Sequence, residues 1–347
     1  MIPPLFHFIR RVSYIALVCV LLVILAGSVV RMTDAGMGCP DWPKCYGHLI
    51  PPTQKEQVEF LANKKFRQGE MIIFNDSLWV ANGNFQTTSE FSRNDWHKYP
   101  KHNYAKFDVA HTWIENINRW LGAFTGLPIL LLFGACILWL YRQKDIITFL
   151  MSLSLLFMLG FVAWLGKLVV DGNLQSGSIT LHMLGSMFLV FMLVFLIRRF
   201  HPARQEIAFT KYQKLLPVIF MFLVITQIIL GTQVRESVDE FLKSGIERNE
   251  LSNSFDFVFY VHRSFSILLV LVGLAMFKYT SQHPSLKTSV LWIAIFVGLE
   301  LFVGIVLSYF SMPAALQPVH LLCAMFTFLF TSRVLAKIYT PTIASGS

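Results

Sequence analysis

Apolar residues in this 347-residue chain gather into long unbroken runs; they neither alternate nor form narrow stripes. Eight runs, at about 13–31, 114–140, 148–170, 179–198, 214–234, 258–277, 288–309 and 316–336, approach the ~20 residues that cross a bilayer. Within hydrocarbon the backbone must satisfy its own polar groups, and continuous apolar runs of this length do so as helices. The pattern predicts an all-α membrane protein of eight transmembrane helices. The first run lies between Arg10/Arg11 and Arg31 with no convincing cleavage site, so it reads as a retained span. The polar interval 32–113 is too long for a plain connector. Within it MIIFNDSLWVANGNF reads as a strand, an Asx- and Gly-rich turn and a further strand, so a small, partly ordered cap is expected.

Hydrophobic residues make up 55% of the chain and charged residues 14%, with a mean hydropathy of +0.57, which excludes a one-domain soluble enzyme. The net charge of +9 does not point to nucleic acid, because the basic residues fall in short loops beside the apolar runs. Arg10, Arg11, Arg142, Lys144, Arg198, Arg199, Arg204, Lys211, Lys214, Lys278, Lys287, Arg333 and Lys337 share one side if the N-terminus is cytoplasmic. The opposite side then carries 32–113, the short loop 171–178, the acidic loop 236–256 and the uncharged turn 310–315. Both termini are expected in the cytoplasm.

The chain also repeats itself. Span one ends AGSVVRMT with Arg31 and span five LGTQVRES with Arg235; span two carries ENINR at 115–119 and span six FYVHR at 259–263; span four has TLHMLGSMF around His182 and span eight PVHLLCAMF around His320. Four spans per unit is an even number, so the repeat is parallel. The expected domains are an N-terminal four-helix half, 1–200, and a C-terminal half, 201–347.

His182, His262 and His320 lie in or at the ends of apolar spans, where an ionisable side chain usually has a partner or a task. His262 and His320 belong to one half, and imidazoles on facing helices can ligate one haem iron from both sides. Arg263, at a helix end, could hold a haem propionate. The alternative is that each histidine only hydrogen-bonds across the bundle. In the first half Asn118 stands where the repeat has His262, and a carboxamide is a poor iron ligand. Glu115, three residues earlier, lies on nearly the same helix face. It reads either as a proton-handling group beside a haem with an open or weakly held sixth position, or as a charge that is solvated or paired with Arg119. His111, one turn before Glu115, could replace the missing ligand, but a solvated boundary histidine is the preferred reading. Cys39 and Cys45, in GCPDWPKCYG, are separated by a stretch that Pro40 and Pro43 bend into turns, so a small-loop disulfide is expected on the oxidising side. A metal pair is disfavoured because nothing nearby completes a tetrahedral site. Spacing leaves open whether the disulfide is structural or redox-active. Cys19, Cys136 and Cys323 read as core residues.

Together, GSVVRMTDAGMGCPDWPKCYGHLIPP, HTWIENINRWLGAFTGL and the helices bearing His182, His262 and His320 resemble the haem A synthase family across all eight spans. The resemblance implies oxidation of the C8 methyl of haem O to a formyl group, making haem A for cytochrome oxidase. It implies a haem b ligated by His262 and His320 that passes electrons, and a substrate haem in the first half near His182 and Glu115, with Asn118 and Arg119 beside it. It ties the Cys39/Cys45 pair to the reaction or to haem transfer. It also implies a bacterial cytoplasmic membrane, haem O handed over by haem O synthase, an unidentified electron donor and a homo-oligomer as an option. Two departures stand out: Asn118 where many members have histidine, and no second cysteine pair in 236–256. The competing readings are a di-haem cytochrome relaying electrons from quinol, which has no need of Glu115, and a secondary transporter, which would be colourless.

Overall fold

Each apolar run is the centre of a helix longer than itself. The computed structural model describes residues 4–172, 177–202, 208–245, 247, 250 and 256–343. Among them are eight helices long and apolar enough to cross a membrane: α1 (Pro4–Met32), α2 (Val109–Gln143), α3 (Ile146–Asp171), α4 (Ser178–Arg199), α5 (Lys211–Lys243), α6 (Phe257–Thr280), α7 (Lys287–Tyr309) and α8 (Leu316–Tyr339). Arg204 and parts of the 171–178 and 236–256 loops lie outside the described residues.

The extra length has local causes. Helix α5 begins with a reciprocal cap: the Gln213 N–H donates to the Thr210 hydroxyl at 3.3 Å and the Thr210 N–H to the Gln213 side chain at 2.9 Å. It continues past the apolar run because its last turns are amphipathic. Val234 and Val238 pack with Phe259 and Met312, while Arg235 pairs with Asp239 on the next turn.

By its contacts the chain divides into two units, one of residues 1–25, 124–160 and 183–347, the other of 26–123 and 161–182. In the first, α5 packs on α6 and α8, and α7 packs on α6 and α8. Phe6, Trp139 and Phe200 interlock their rings there, and Asp145 in the α2–α3 turn accepts hydrogen bonds from Thr148 (2.6 Å) and Arg199 (2.7 Å).

The second unit contains the cap. Strands β2 (Met71–Phe74) and β3 (Ser77–Ala81) form an antiparallel hairpin, and β5 (Trp96–Lys98) pairs with β3. The turn between β2 and β3 is Asn75-Asp76, with φ of 49° and 52°. Two successive positive φ values are what a tight two-residue hairpin needs, and Asn and Asp tolerate them. Strands β1 (Lys65–Phe66) and β4 (Phe85–Gln86) make a second small pair. Phe66, Ile72, Ala81 and Trp96 form one buried cluster, and Tyr46, Val58, Met71 and Leu78 gather around Cys39 and Cys45 in another.

Candidate functional site

Asp256 caps α6 by accepting from the Phe259 N–H at 3.1 Å, and Ser237 donates to the same carboxylate at 2.7 Å. That start sets His262 in the second turn of α6, as Leu316 sets His320 in the second turn of α8. The two imidazoles face each other with ring centres 6.4 Å apart and planes at 82°. Two imidazoles on one iron, with iron–nitrogen bonds of about 2 Å and ring centres about 1 Å further back, stand about 6 Å apart. The spacing of the pair matches that of two imidazoles on one iron. Each ring also lies in a cradle made by a glycine on the preceding helix. A methyl at Gly231 of α5 would come within 3.2 Å of His262 Cε1, and one at Gly304 of α7 within 3.4 Å of His320 Cε1. The backbones of Gln227 and Glu300, one turn before those glycines, face the same rings. Nδ1 of both histidines is buried with no short hydrogen bond, and metal-ligating histidines use that nitrogen to fix their orientation. Arg263 is exposed and lies over the Tyr309 ring, 5.8 Å from its centre.

The other unit repeats the cradle. A methyl at Gly166 of α3 would meet His182 Cε1 of α4 at 3.4 Å, and the backbone of Val162, one turn earlier, faces that ring. On α1, a methyl at Gly27 would lie 3.8 Å from Asn118 Oδ1 of α2. Gly27 and Gly231 each stand four residues before an arginine, Arg31 and Arg235, so this cradle was present in AGSVVR and LGTQVR.

Glu115 is 4% exposed. One of its carboxylate oxygens accepts from Arg119 at 2.5 Å and the other from the Cys39 N–H at 2.8 Å. Arg119 also donates to the carbonyls of Cys39 (3.1 Å), Asp41 (2.6 Å) and Lys44 (2.9 Å), and Thr112 donates to that of Gly38 at 2.9 Å. Thr112, Glu115 and Arg119 share one face of α2 by their spacing, and this face clamps the turn closed by the Cys39–Cys45 disulfide. At Gly38 a side chain is excluded, since a Cβ would stand 2.5 Å from the His111 carbonyl. Within the turn, Asp41 accepts from the Tyr46 (2.6 Å) and Gly47 (3.0 Å) N–H groups. Burial pushes the Asp41 carboxyl above its usual range, against the pull of those two donors and of Arg119. Tyr99 donates to the Pro40 carbonyl at 3.0 Å, where His102 makes a second contact at 3.0 Å.

The sequence-derived residues thus fall into groups. His262 and His320 meet, and Glu115 and Arg119 meet the disulfide. Arg263 is engaged with Tyr309, and the terminal nitrogens of Arg119 with the loop. The His111 N–H donates to Asp108 at 2.9 Å at the start of α2. Sequence reasoning passed over the cradle glycines, Asp41 and Glu300. Glu300 interrupts an apolar run in α7, which was signal enough, and it accepts from Thr327 at 2.6 Å.

Residues 10–332 match the COX15-CtaA family, described as cytochrome oxidase assembly protein. A Shewanella oneidensis protein named Heme A synthase is 30% identical over 62% of this chain and 54% of its own length. Heme A synthases of Rickettsia canadensis and Rickettsia felis are 24% and 25% identical over 88% and 91% of this chain and 90% and 94% of theirs. The chain thus spans about half the length of the first of these relatives and nearly all of the other two. With a match that reaches all eight helices, the chain belongs to the COX15-CtaA family of cytochrome oxidase assembly proteins.

Proposed function

We propose that the protein is a haem A synthase, a multi-pass membrane oxidoreductase that oxidises the C8 methyl of haem O to a formyl group for cytochrome oxidase. The observation that carries this reading is the asymmetry between the repeat-related positions: two imidazoles with ring centres 6.4 Å apart in one half, and in the other Asn118 in place of one of them, with the buried carboxylate of Glu115 three residues earlier on α2. An electron relay needs the first arrangement only. Converting a methyl to a formyl group consumes one water and releases four protons and four electrons overall, so a proton-handling group near the substrate has a task.

His262 and His320 hold a haem b, which when bound relays electrons one at a time. Substrate haem O is held through His182, against Gly166. Glu115 takes protons released at the substrate edge; the Arg119 side chain and the backbones of Cys39 and Gly38 hold its carboxylate in place. Arg119 positions that carboxylate and ties it to the disulfide loop. The two halves act as 1–200 for the substrate and 201–347 for haem b. The basic residues next to the helix ends support an orientation with both termini cytoplasmic and the Cys39–Cys45 loop outside. The working partners are haem O, delivered by haem O synthase, and a redox partner: an acceptor for the four released electrons when water supplies the oxygen, or the electron donor that the family resemblance implies when dioxygen supplies it. Extracting the haems of the purified protein and identifying them by mass tests the proposal. Haem b together with haem O, haem A or the alcohol between them is expected, whereas haem b alone would leave an electron relay.

A further inference from the structure

The four cradles differ in what they hold. Gly166, Gly231 and Gly304 face imidazoles, and Gly27 faces the carboxamide of Asn118. An asparagine is shorter than a histidine and is a poor iron ligand, so it cannot reach and ligate where the repeat would put a metal bond. Neither neighbouring candidate substitutes for it. Glu115 is oriented onto the disulfide turn by Arg119 and the Cys39 N–H, and no observation turns it toward His182. His111 lies seven residues from Asn118, about 10 Å along the helix axis. Asn118 Oδ1 is buried with no hydrogen-bond partner, although buried amides are ordinarily satisfied. The contact to Gly27, at 3.8 Å, is also looser than the 3.2 Å contact of its counterpart, Gly231 with His262.

We infer that His182 is the one protein ligand of the substrate haem, and that the buried Asn118 amide, standing where the repeat has a second imidazole, hydrogen-bonds a water-sized ligand, water or a diatomic gas, on the open side of that haem. The inference rests on the first half holding the substrate haem. It adds that this site is open by design of the chain, whereas the His262/His320 site is closed on both sides.

Carbon monoxide is the probe. Full-length protein purified from cells supplied with haem O is reduced with dithionite and titrated with carbon monoxide while its absorption spectrum is followed. The ligand should bind one of the two haems and leave the low-spin signal of the other unchanged, and this wild-type titration decides by itself. Asn118→His should convert the reactive haem to a low-spin form and weaken carbon monoxide binding at least tenfold. Asn118→Ala should keep the binding and speed ligand release a few-fold. The unchanged low-spin signal of the His262/His320 haem shows in each case that the variant has folded. A second haem that is low-spin and inert in the wild type, or unaltered binding in Asn118→His, would overturn the inference. A preparation that retains haem b alone would instead sink the placement of substrate in the first half, and the open site with it.

Discussion

Gly231 and Gly27 occupy the same place in the repeat, yet one helix surface presents itself to an imidazole and the other to a carboxamide. Around the first, everything serves to hold one group still: a second imidazole 6.4 Å away, a second glycine and a capped helix start. Around the second, α2 carries a buried carboxylate paired with Arg119 on the same helix and with the Cys39 N–H of a disulfide-closed turn. On the proposed function, one scaffold would supply both a permanent cofactor site and an exchangeable substrate site. The difference lies in a single side chain on the second helix of each half and in what is stacked on that helix's first turns.

The sharpest way to break the comparison is to remove an imidazole from each half. His262→Ala or His320→Ala should abolish the low-spin haem signal outright, since half of a two-histidine site does not hold a bis-histidine haem. His182→Ala should leave that signal intact and deplete only the substrate haem. A low-spin signal lost equally in all three variants would mean that the sites are not separate.

The next largest effect is expected at Glu115. Glu115→Gln keeps the shape of the side chain and a hydrogen bond with the Cys39 N–H while removing the charge. Haem A should fall about a hundredfold or more, the range for loss of an acid–base group, while haem O or its alcohol accumulates on the protein. Thr112→Val is the matched control, because it cuts another tie to the same turn, the 2.9 Å bond to the Gly38 carbonyl, without touching the carboxylate. It should cost about 1 kcal/mol of stability and leave haem A formation within a few-fold of normal. Equal losses in the two variants would reduce Glu115 to a clamp.

The disulfide gives a smaller, measurable effect. Cys39→Ser with Cys45→Ser opens a short loop, for which about 2 kcal/mol of stabilisation is expected. The low-spin haem should persist, because His262 and His320 belong to the other unit. The measurement is thermal loss of each haem signal: the substrate haem should be released at lower temperature than in the wild type, and the low-spin haem at the same temperature. Peptide mapping of non-reduced wild type should recover Cys39 and Cys45 in one cross-linked species.

Much of this arrangement was legible from residue order alone. The eight helices follow from apolar run length, and the β2–β3 hairpin from alternation around Asn75-Asp76. The rest of the cap was not, since β1 and β4 are two residues each and their cluster is assembled from aromatic residues scattered among polar ones, such as Phe66 and Trp96. At the site, the Glu115–Arg119 pair follows from i, i+4 spacing, and the Cys39–Cys45 bridge from its bent intervening stretch. What Arg119 grips could not be read, because its targets are the carbonyls of residues 39, 41 and 44, and backbone groups carry no sequence signature. The cradle glycines could have been read from the repeat, in which Gly27 aligns with Gly231.

Those glycines provide the finest test of the comparison, because the four contacts are graded. In a helix interior, replacing glycine by alanine gains about 0.5–1 kcal/mol of intrinsic propensity. Overpacking a filled site costs about 1–3 kcal/mol. At Gly231, where a methyl would stand 3.2 Å from His262 Cε1, the ring must shift and overpacking should win. Gly231→Ala is therefore expected to disturb the low-spin spectrum and loosen haem b. Gly304→Ala and Gly166→Ala, at 3.4 Å from His320 and His182, should do so less, the first on the low-spin haem and the second on the substrate haem. At Gly27 the methyl would lie 3.8 Å from Asn118 Oδ1, ordinary contact, so propensity should win. Gly27→Ala should be neutral or slightly stabilising, with both haem signals unchanged. Thermal loss of each signal across the four variants measures the order. A Gly27→Ala variant as damaging as Gly231→Ala would show that the first cradle is as tightly filled as the second, and that Asn118 does not mark a roomier site.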